Sequence, residues 1–408
     1  MCRTATLRVA VAVVLVALPA SGTLAQSPST LSLNDAMSRA LEANRTILAA
    51  RTARAIDVAG VQVAGQRPNP DVSFEYARET PHWAFTGTVP LEISGKRQRR
   101  IDVANATLAV TEAETARIVA DVRADVRRAY YQAVGAVRRV AIAEELAAIQ
   151  ARARDAAQDR FQTGAAPRLD PLQASLALSQ AQNEVAAARG DLNAARADLN
   201  ALLAYPLDAS PMLADPLDAG QLPTPEAATQ QVLAGNAELH VLERRLEEAR
   251  ARVALARALR RPDPTVTASL TYDSPPDFVV GWRAGAAVAL PIFTTGRPEI
   301  AVAEATLART IADRDARVAQ ITGAVSAALA RATAARQTVE RYRNEILPAS
   351  LQVEQMAEES YRAGQTGLPA YLQTLQAARD IRRAALQAGL DYQLALADLE
   401  RAMGTPLK

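Results

Sequence analysis

One internal duplication governs what this chain can fold into. Asp191-Leu-Asn-Ala-Ala-Arg-Ala-Asp-Leu-Asn returns as Asp391-Tyr-Gln-Leu-Ala-Leu-Ala-Asp-Leu-Glu, and Pro206-Leu207 returns as Pro406-Leu407. Phe161-Gln-Thr-Gly164 matches Tyr361-Arg-Ala-Gly364, and Arg67-Pro-Asn-Pro70 matches Arg261-Pro-Asp-Pro264. Val103-Ala-Asn-Ala-Thr-Leu108 likewise matches Val302-Ala-Glu-Ala-Thr-Leu307. Matches in one order along the chain make residues 26–215 and 216–408 two copies of one unit. They are read as repeats that do not fold independently.

Each repeat predicts the same layout. A first helix covers 33–65 or 225–260, with Asn34 or Asp35 to cap the former and Thr224 with Pro225 to open the latter. Two short strands follow. A long helix is expected over 97–161 and again over 298–361, each with one internal glycine, Gly135 and Gly323. A glycine turn reverses the chain into a return helix at 171–203 or 369–403. At about 1.5 Å per residue the long helix spans roughly 95 Å, about twice each shorter one. The two short helices therefore stack end to end beside the long one, giving a rod two helices wide. Leu178, Val185, Leu192 and Leu199 recur every seven residues, the spacing of a coiled-coil seam. Only 4% of residues are aromatic against 49% hydrophobic, much of it alanine, which suits closely approached helices better than a thick globular core.

The strands alternate. Val72-Ser-Phe-Glu-Tyr76 is apolar at every second position, and Trp83, Phe85 and Val89 share a face opposite Ala84, Thr86 and Thr88. Val266, Ala268, Leu270 and Tyr272 alternate with Thr267, Ser269 and Thr271, and Trp282 and Ala284 with Gly281, Arg283 and Gly285. With about ten residues each, such strands fit a wall with lipid outside and water inside. Glu75, Thr86, Thr88, Thr267 and Arg283 would face the lumen, and Trp83 and Trp282 an aromatic girdle. Arg283 could alternatively pair with Glu75. Four strands cannot close a barrel, and open edges are prohibitive in lipid. Closure predicts a homotrimer supplying twelve strands, with outer-membrane lipid around it. The fold class is mainly α with a small β part.

The first residues read as a secretory signal over 1–25. Arg3 and Arg8 precede the apolar run Val9–Leu18, and Thr23-Leu-Ala25 places small residues before the cleavage point. Cys2 lies before that run, so the mature chain holds no cysteine, hence no disulfide and no thiolate site. Lys+Arg number 46 against 44 Asp+Glu, which offers nucleic acid no electrostatic footprint.

Taken together these motifs resemble the TolC family of outer-membrane efflux proteins over essentially the whole mature chain. Within it, Arg67-Pro-Asn-Pro70, Val72–Tyr76 and Pro90-Leu-Glu-Ile-Ser-Gly-Lys-Arg-Gln-Arg-Arg100 resemble the CzcC-like subgroup, which serves heavy-metal exporters of the RND class. Val89 and Ser94 depart from that subgroup's Gln and Gly. The resemblance implies a passive trimeric duct in the outer membrane, continued across the periplasm by a helical tunnel. Its partners would be a periplasmic adaptor (a membrane fusion protein) and an inner-membrane RND pump. The adaptor would dock on the helix reversals, at Thr163, Gly164 and Ala165 and at Gly364, Gln365 and Thr366. In the family, aspartates on the second tip narrow the entrance. Here Ala370 and Gln373 take those places, leaving Asp170 as the comparable carboxylate.

No enzymatic chemistry and no cofactor are expected. The histidines are His82 and His240; the latter could share a helix face with Glu243 and Glu247, a common solvated pattern. Gly95-Lys96-Arg97 lacks the spacing of a phosphate loop. The run Lys96, Arg97, Arg99 and Arg100 suits either anionic headgroups or a solvated helix start. The competing architecture is a periplasmic coiled-coil scaffold or adaptor, which would dissolve without detergent. Amino-terminal sequencing of the exported protein is expected to read Gln26 first; a start at Met1 would exclude the secretory reading.

Overall fold

The computed structural model describes residues 30–407 apart from 214, 219, 275 and 277, so the expected signal and Gln26 lie outside the described residues. The chain enters through β1 (Thr30–Leu31) and α1 (Leu33–Ala43). The cap of α1 is Ser32, not Asn34 or Asp35. Its hydroxyl accepts from the Asp35 amide while the Asp35 carboxylate takes the Ser32 amide, a reciprocal box that satisfies donors at both ends. Thr224 caps α5 (Pro225–Gly235) as expected.

The first helix of each repeat is broken. Asn44 separates α1 from α2 (Arg45–Ala64), and Asn236 separates α5 from α6 (Ala237–Leu259). Both adopt extended backbone, with φ −61° and ψ 125° at Asn44 and φ −65° and ψ 120° at Asn236. Each carboxamide oxygen caps the next helix, at the amides of Thr46 and Ile47 and of Glu238 and Leu239. Each carboxamide nitrogen donates to the end of a return helix, Asn44 to the Leu202 carbonyl at 2.9 Å and Asn236 to the Met403 carbonyl at 3.0 Å. A buried asparagine thus satisfies donors of one helix and acceptors of another. These bonds bring the end of α4 (Leu169–Leu203) against the start of α2, and the end of α9 (Leu368–Met403) against the start of α6. The short helices stack end to end.

Between them runs α3 (Lys96–Gln162), 67 residues without interruption and about 100 Å long. Its counterpart is not continuous. After α7 (Arg297–Arg341) comes a π-helical turn, Tyr342–Ile346, and then α8 (Leu347–Arg362). Pro348 lies two residues beyond that turn. It has no amide proton to give, and the Leu347 amide reaches five residues back to the Tyr342 carbonyl.

The core is a series of clusters strung along the rod. One gathers Leu31, Ile47, Val126, Tyr130 and Leu203; the Tyr130 hydroxyl donates to the Leu31 carbonyl at 2.8 Å. A second gathers Leu146, Ile149, Tyr361, Leu368 and Tyr371 near the helix reversals. The repeats diverge at equivalent positions in their return helices. Asn200 donates to the Leu207 and Ala209 carbonyls, whereas Glu400 accepts from Arg127 of α3 at 2.9 Å in a buried pair. Arg128–Asp398 and Arg401–Asp125 flank that pair and bind α9 to α3.

Strands β2 (Asp71–Tyr76), β3 (Trp83–Pro90), β5 (Pro264–Ser274) and β6 (Phe278–Val288) form one antiparallel sheet in that order. The β3–β5 pairing joins the repeats. The strands of the first hairpin, six and eight residues long, fall short of the expected length, while those of the second have eleven each. A parallel pair, β1 with β4 (Met212–Leu213), was not legible in the sequence.

Asn44→Ala and Asn236→Ala are each expected to cost about 1–2 kcal/mol, against near neutrality for the exposed Asn34→Ala. Thermal unfolding in detergent checks this, and equal losses at positions 34 and 44 would refute the capping role.

Candidate channel surfaces

The register sorts the sheet into two unlike faces. On one lie Val72, Phe74 and Tyr76 of β2, Trp83, Phe85 and Val89 of β3, Val266, Leu270 and Tyr272 of β5, and Val280 and Trp282 of β6. Every one of these is exposed, Trp282 to 81% and Val72 to 73%. The other face carries Asp71, Ser73, Glu75, Thr86, Thr88, Thr267, Ser269, Thr271 and Arg283, spaced by alanine and glycine. Glu75, Thr86, Thr88, Thr267 and Arg283 thus share one surface. Thr86 and Ser269 join their hydroxyls at 2.9 Å, and Thr267 donates to the Gly285 carbonyl at 3.2 Å. A Cβ at Gly285 would come within 2.9 Å of the Thr267 hydroxyl, so glycine is what admits this threonine.

Arg283 does not pair with Glu75 inside the protomer. They sit on β6 and β2, the opposite edges of the sheet. Trp83 belongs to an aromatic cluster toward the loop end of the apolar face, whereas Trp282 stands on the same face opposite Leu270, outside that cluster. Trp83 lies 5.3 Å from Phe74 and 4.6 Å from Tyr76, ring centre to ring centre. A link between the two hairpins also escaped the sequence reading: His82 Nδ1 lies 3.0 Å from Asp273 Oδ2, and the His82 amide donates to the Asp273 carbonyl.

Where strand becomes helix, the basic run is spent on protein partners. Lys96 is buried and meets Asp263 at 2.8 Å. Arg97 donates to the Gly65 carbonyl, and Arg100 to those of Ala64 and Gln66 and to Glu92. The Arg100 hydrogen bond holds the Glu92 carboxyl below the usual carboxylate range. Arg97 and Arg100 thus close the end of α2, where helix carbonyls lack partners. Arg99 pairs with Asp102. Arg97 and Arg99 remain exposed, as a solvated helix start requires, whereas the burial of Lys96 and the several bonds of Arg100 go beyond that reading. On α6, His240 approaches Glu243 at 3.4 Å while Glu247 is taken by Arg244 at 2.8 Å.

At the far end of the rod the two helix reversals share one geometry. Gly164 and Gly364 have φ of +77° and +73°. Their amides donate to the Phe161 and Tyr361 carbonyls, and those of Ala165 and Gln365 to the Arg160 and Ser360 carbonyls. This is the αL helix stop that glycine favours. Thr163, Gly164 and Ala165 are exposed, as are Gly364 and Gln365, whereas Thr366 is half-buried. The reversals are tied together by Arg160, whose guanidinium lies 4.9 Å from the Tyr361 ring centre and donates to the Tyr361 carbonyl. Tyr361 stacks on Tyr371 at 4.9 Å. Burial pushes the Tyr361 phenol up; Arg160 opposes this and Asp170 adds to it. Asp170 lies half-buried in the first turn of α4, and Gln373 is exposed on α9.

The profile of the family described as outer membrane efflux protein matches residues 36–204 and 228–405. The cobalt-zinc-cadmium resistance protein CzcC of Cupriavidus metallidurans is 27% identical over 391 residues, 92% of this chain and 90% of that protein. Among solved structures, CusC, described for transmembrane channel formation, aligns with a TM-score of 0.76 at 17% identity, covering 94% of this chain and 96% of CusC. The Neisseria gonorrhoeae MtrE outer membrane channel aligns at 0.75 and 20% identity, covering 91% and 89%.

Gly164→Ala and Gly364→Ala would meet no atom within 4 Å, so each costs only the left-handed backbone, about 1–2 kcal/mol. Hydrogen exchange at the two reversals is expected to accelerate equally in the two variants. Acceleration at one alone would show that the reversals are not equivalent.

Proposed function

Because the chain belongs to the outer membrane efflux protein family, we propose that it works as the passive exit duct of a tripartite efflux system, three copies closing one barrel. The observation that carries this is the sheet. Its apolar face stands exposed along every strand, while its other face offers hydroxyls, small residues and a few charges. A soluble sheet would bury the first; a barrel wall turns it to lipid and the second to water.

In this reading Glu75, Thr86, Thr88, Thr267 and Arg283 line the lumen, and Trp83 and Trp282 anchor the outer interface. The rods continue the lumen through the periplasm as two repeats, 26–215 and 216–408, that do not fold apart. The reversals at Thr163–Ala165 and Gly364–Thr366 receive a periplasmic adaptor, and Asp170 and Gln373 lie at the entrance. An inner-membrane RND pump supplies the energy. The relation to a cobalt-zinc-cadmium resistance protein supports divalent metal cations as cargo. Hydroxyl and carboxylate oxygens lining the barrel would hold such ions weakly, as passage requires.

Two measurements test the proposal. The mature protein is expected to fractionate with the outer membrane, to need detergent and to have the native mass of a trimer; a soluble periplasmic monomer would sink the duct. Deleting the gene is expected to sensitise cells to cobalt, zinc or cadmium, with rescue by the intact gene. Sensitivity to organic toxicants alone would refute the metal cargo and leave the duct standing.

A further inference from the structure

Among the described residues the sheet ends in two strands with an unpaired edge, β2 and β6. On its polar face β2 presents Asp71, Ser73 and Glu75. On the same face β6 presents Gly281, Arg283, Gly285 and Ala287, so its charge there is Arg283. Ser73, Thr86, Ser269 and Arg283 lie in one row across the sheet, and the rows on either side begin with Glu75 and Asp71. One edge thus carries two carboxylates and the other a guanidinium, all on the polar face. All three groups are exposed, and among the described residues none of their side chains makes an ion pair or hydrogen bond within the protomer.

We infer that Arg283 of one protomer pairs across the barrel seam with the β2 carboxylates, Asp71 and Glu75, of the next copy of this chain. The inference rests on the closed barrel proposed above and specifies what joins its three seams. Unpaired strand edges in hydrocarbon must find partners, and here charge selects which edge meets which. Joining β6 to β6 sets guanidinium against guanidinium, and β2 to β2 sets carboxylates against carboxylates. Only β6 against β2 brings opposite charges together. That contact is head-to-tail, and repetition closes a ring rather than a two-fold dimer.

The pairing requires a seam register that sets Asp71, Ser73 or Glu75 beside Arg283. A slip by one residue would turn Val72, Phe74 and Tyr76 into the lumen, so the stagger that barrel closure imposes runs in steps of two. Opposite either acid, the arginine has a direct cross-strand partner. Opposite Ser73, both acids are diagonal neighbours at about 7–8 Å, within reach of so long a side chain. Each seam therefore holds one arginine against two acids, and the second acid keeps a negative charge in the lumen.

Charge reversal and cross-linking test this. R283E is expected to lower the temperature at which the detergent-solubilised trimer dissociates, and D71R/E75R to do the same. The triple variant R283E/D71R/E75R, with the charges exchanged, is expected to recover most of the lost resistance. In the mature chain, R283C combined in turn with D71C, S73C or E75C is expected to yield disulfide-linked multimers in at least one pair, and R283C/V72C none. A trimeric protein whose heat resistance ignores R283E and which cross-links in none of the three pairs overturns the seam while leaving the trimer intact. A wild-type protein that is monomeric in detergent overturns both.

Discussion

Backbone amides and carbonyls cannot be left bare in hydrocarbon, and among the described residues this chain has a sheet with two bare edges and an apolar face that no helix covers. A single protomer has no remedy, because its helices run away from the sheet instead of packing onto it. The remedy is more strands from further copies, which makes oligomerisation a condition of insertion. The polar face then acquires its meaning. In the proposed barrel, serine, threonine and glycine would leave a wetted wall that binds passing solutes weakly, and the charges on the two edge strands would stand where copies meet.

The rest of the molecule carries that wall across a distance. A rod about 100 Å long cannot be held by one core, and the structure distributes small clusters along it instead. Where helices meet end to end, their termini would leave amides and carbonyls unsatisfied. Asn44 and Asn236 answer both needs with one side chain each. At the junction with the sheet, Lys96 with Asp263 and Arg100 with Glu92 fasten the strands of both repeats to the rod. At the other end, Arg160 and Tyr361 hold the two reversals together. A passive duct needs rigid positioning at its ends more than reactive groups between them.

The two repeats have diverged where their surroundings differ. Asn200 secures a local loop, while its counterpart Glu400 forms a buried pair with Arg127 and so joins one repeat to the other. Breaking such a pair leaves an uncompensated buried charge, which is costly. Pro348 puts a π turn into only one of the long helices. The rod is therefore pseudo-symmetric, with two non-identical hairpins to present at each end.

Much of this was legible in the chain itself. The duplication, the order of elements, the two-faced strands and the glycine reversals follow from local pattern, because helix and strand periods and the αL position of glycine need no distant partner. The broken first helices were not legible in one repeat alone, since Asn44 is an ordinary polar residue until the end of α4 arrives beside it. Comparing repeats would have flagged it, as Asn236 occupies the same place. The role of the basic run was likewise hidden. Lys96 and Arg100 read as charge for headgroups or for solvent, and only the approach of Asp263 and of the α2 terminus made Lys96 a buried staple and Arg100 a half-buried one. Sequence by itself determined which residues point to which side of a strand and where the chain turns. Tertiary structure alone decided which polar groups meet, because a hydrogen bond or ion pair between residues many positions apart exists only once the packing of helices brings both partners within about 3 Å.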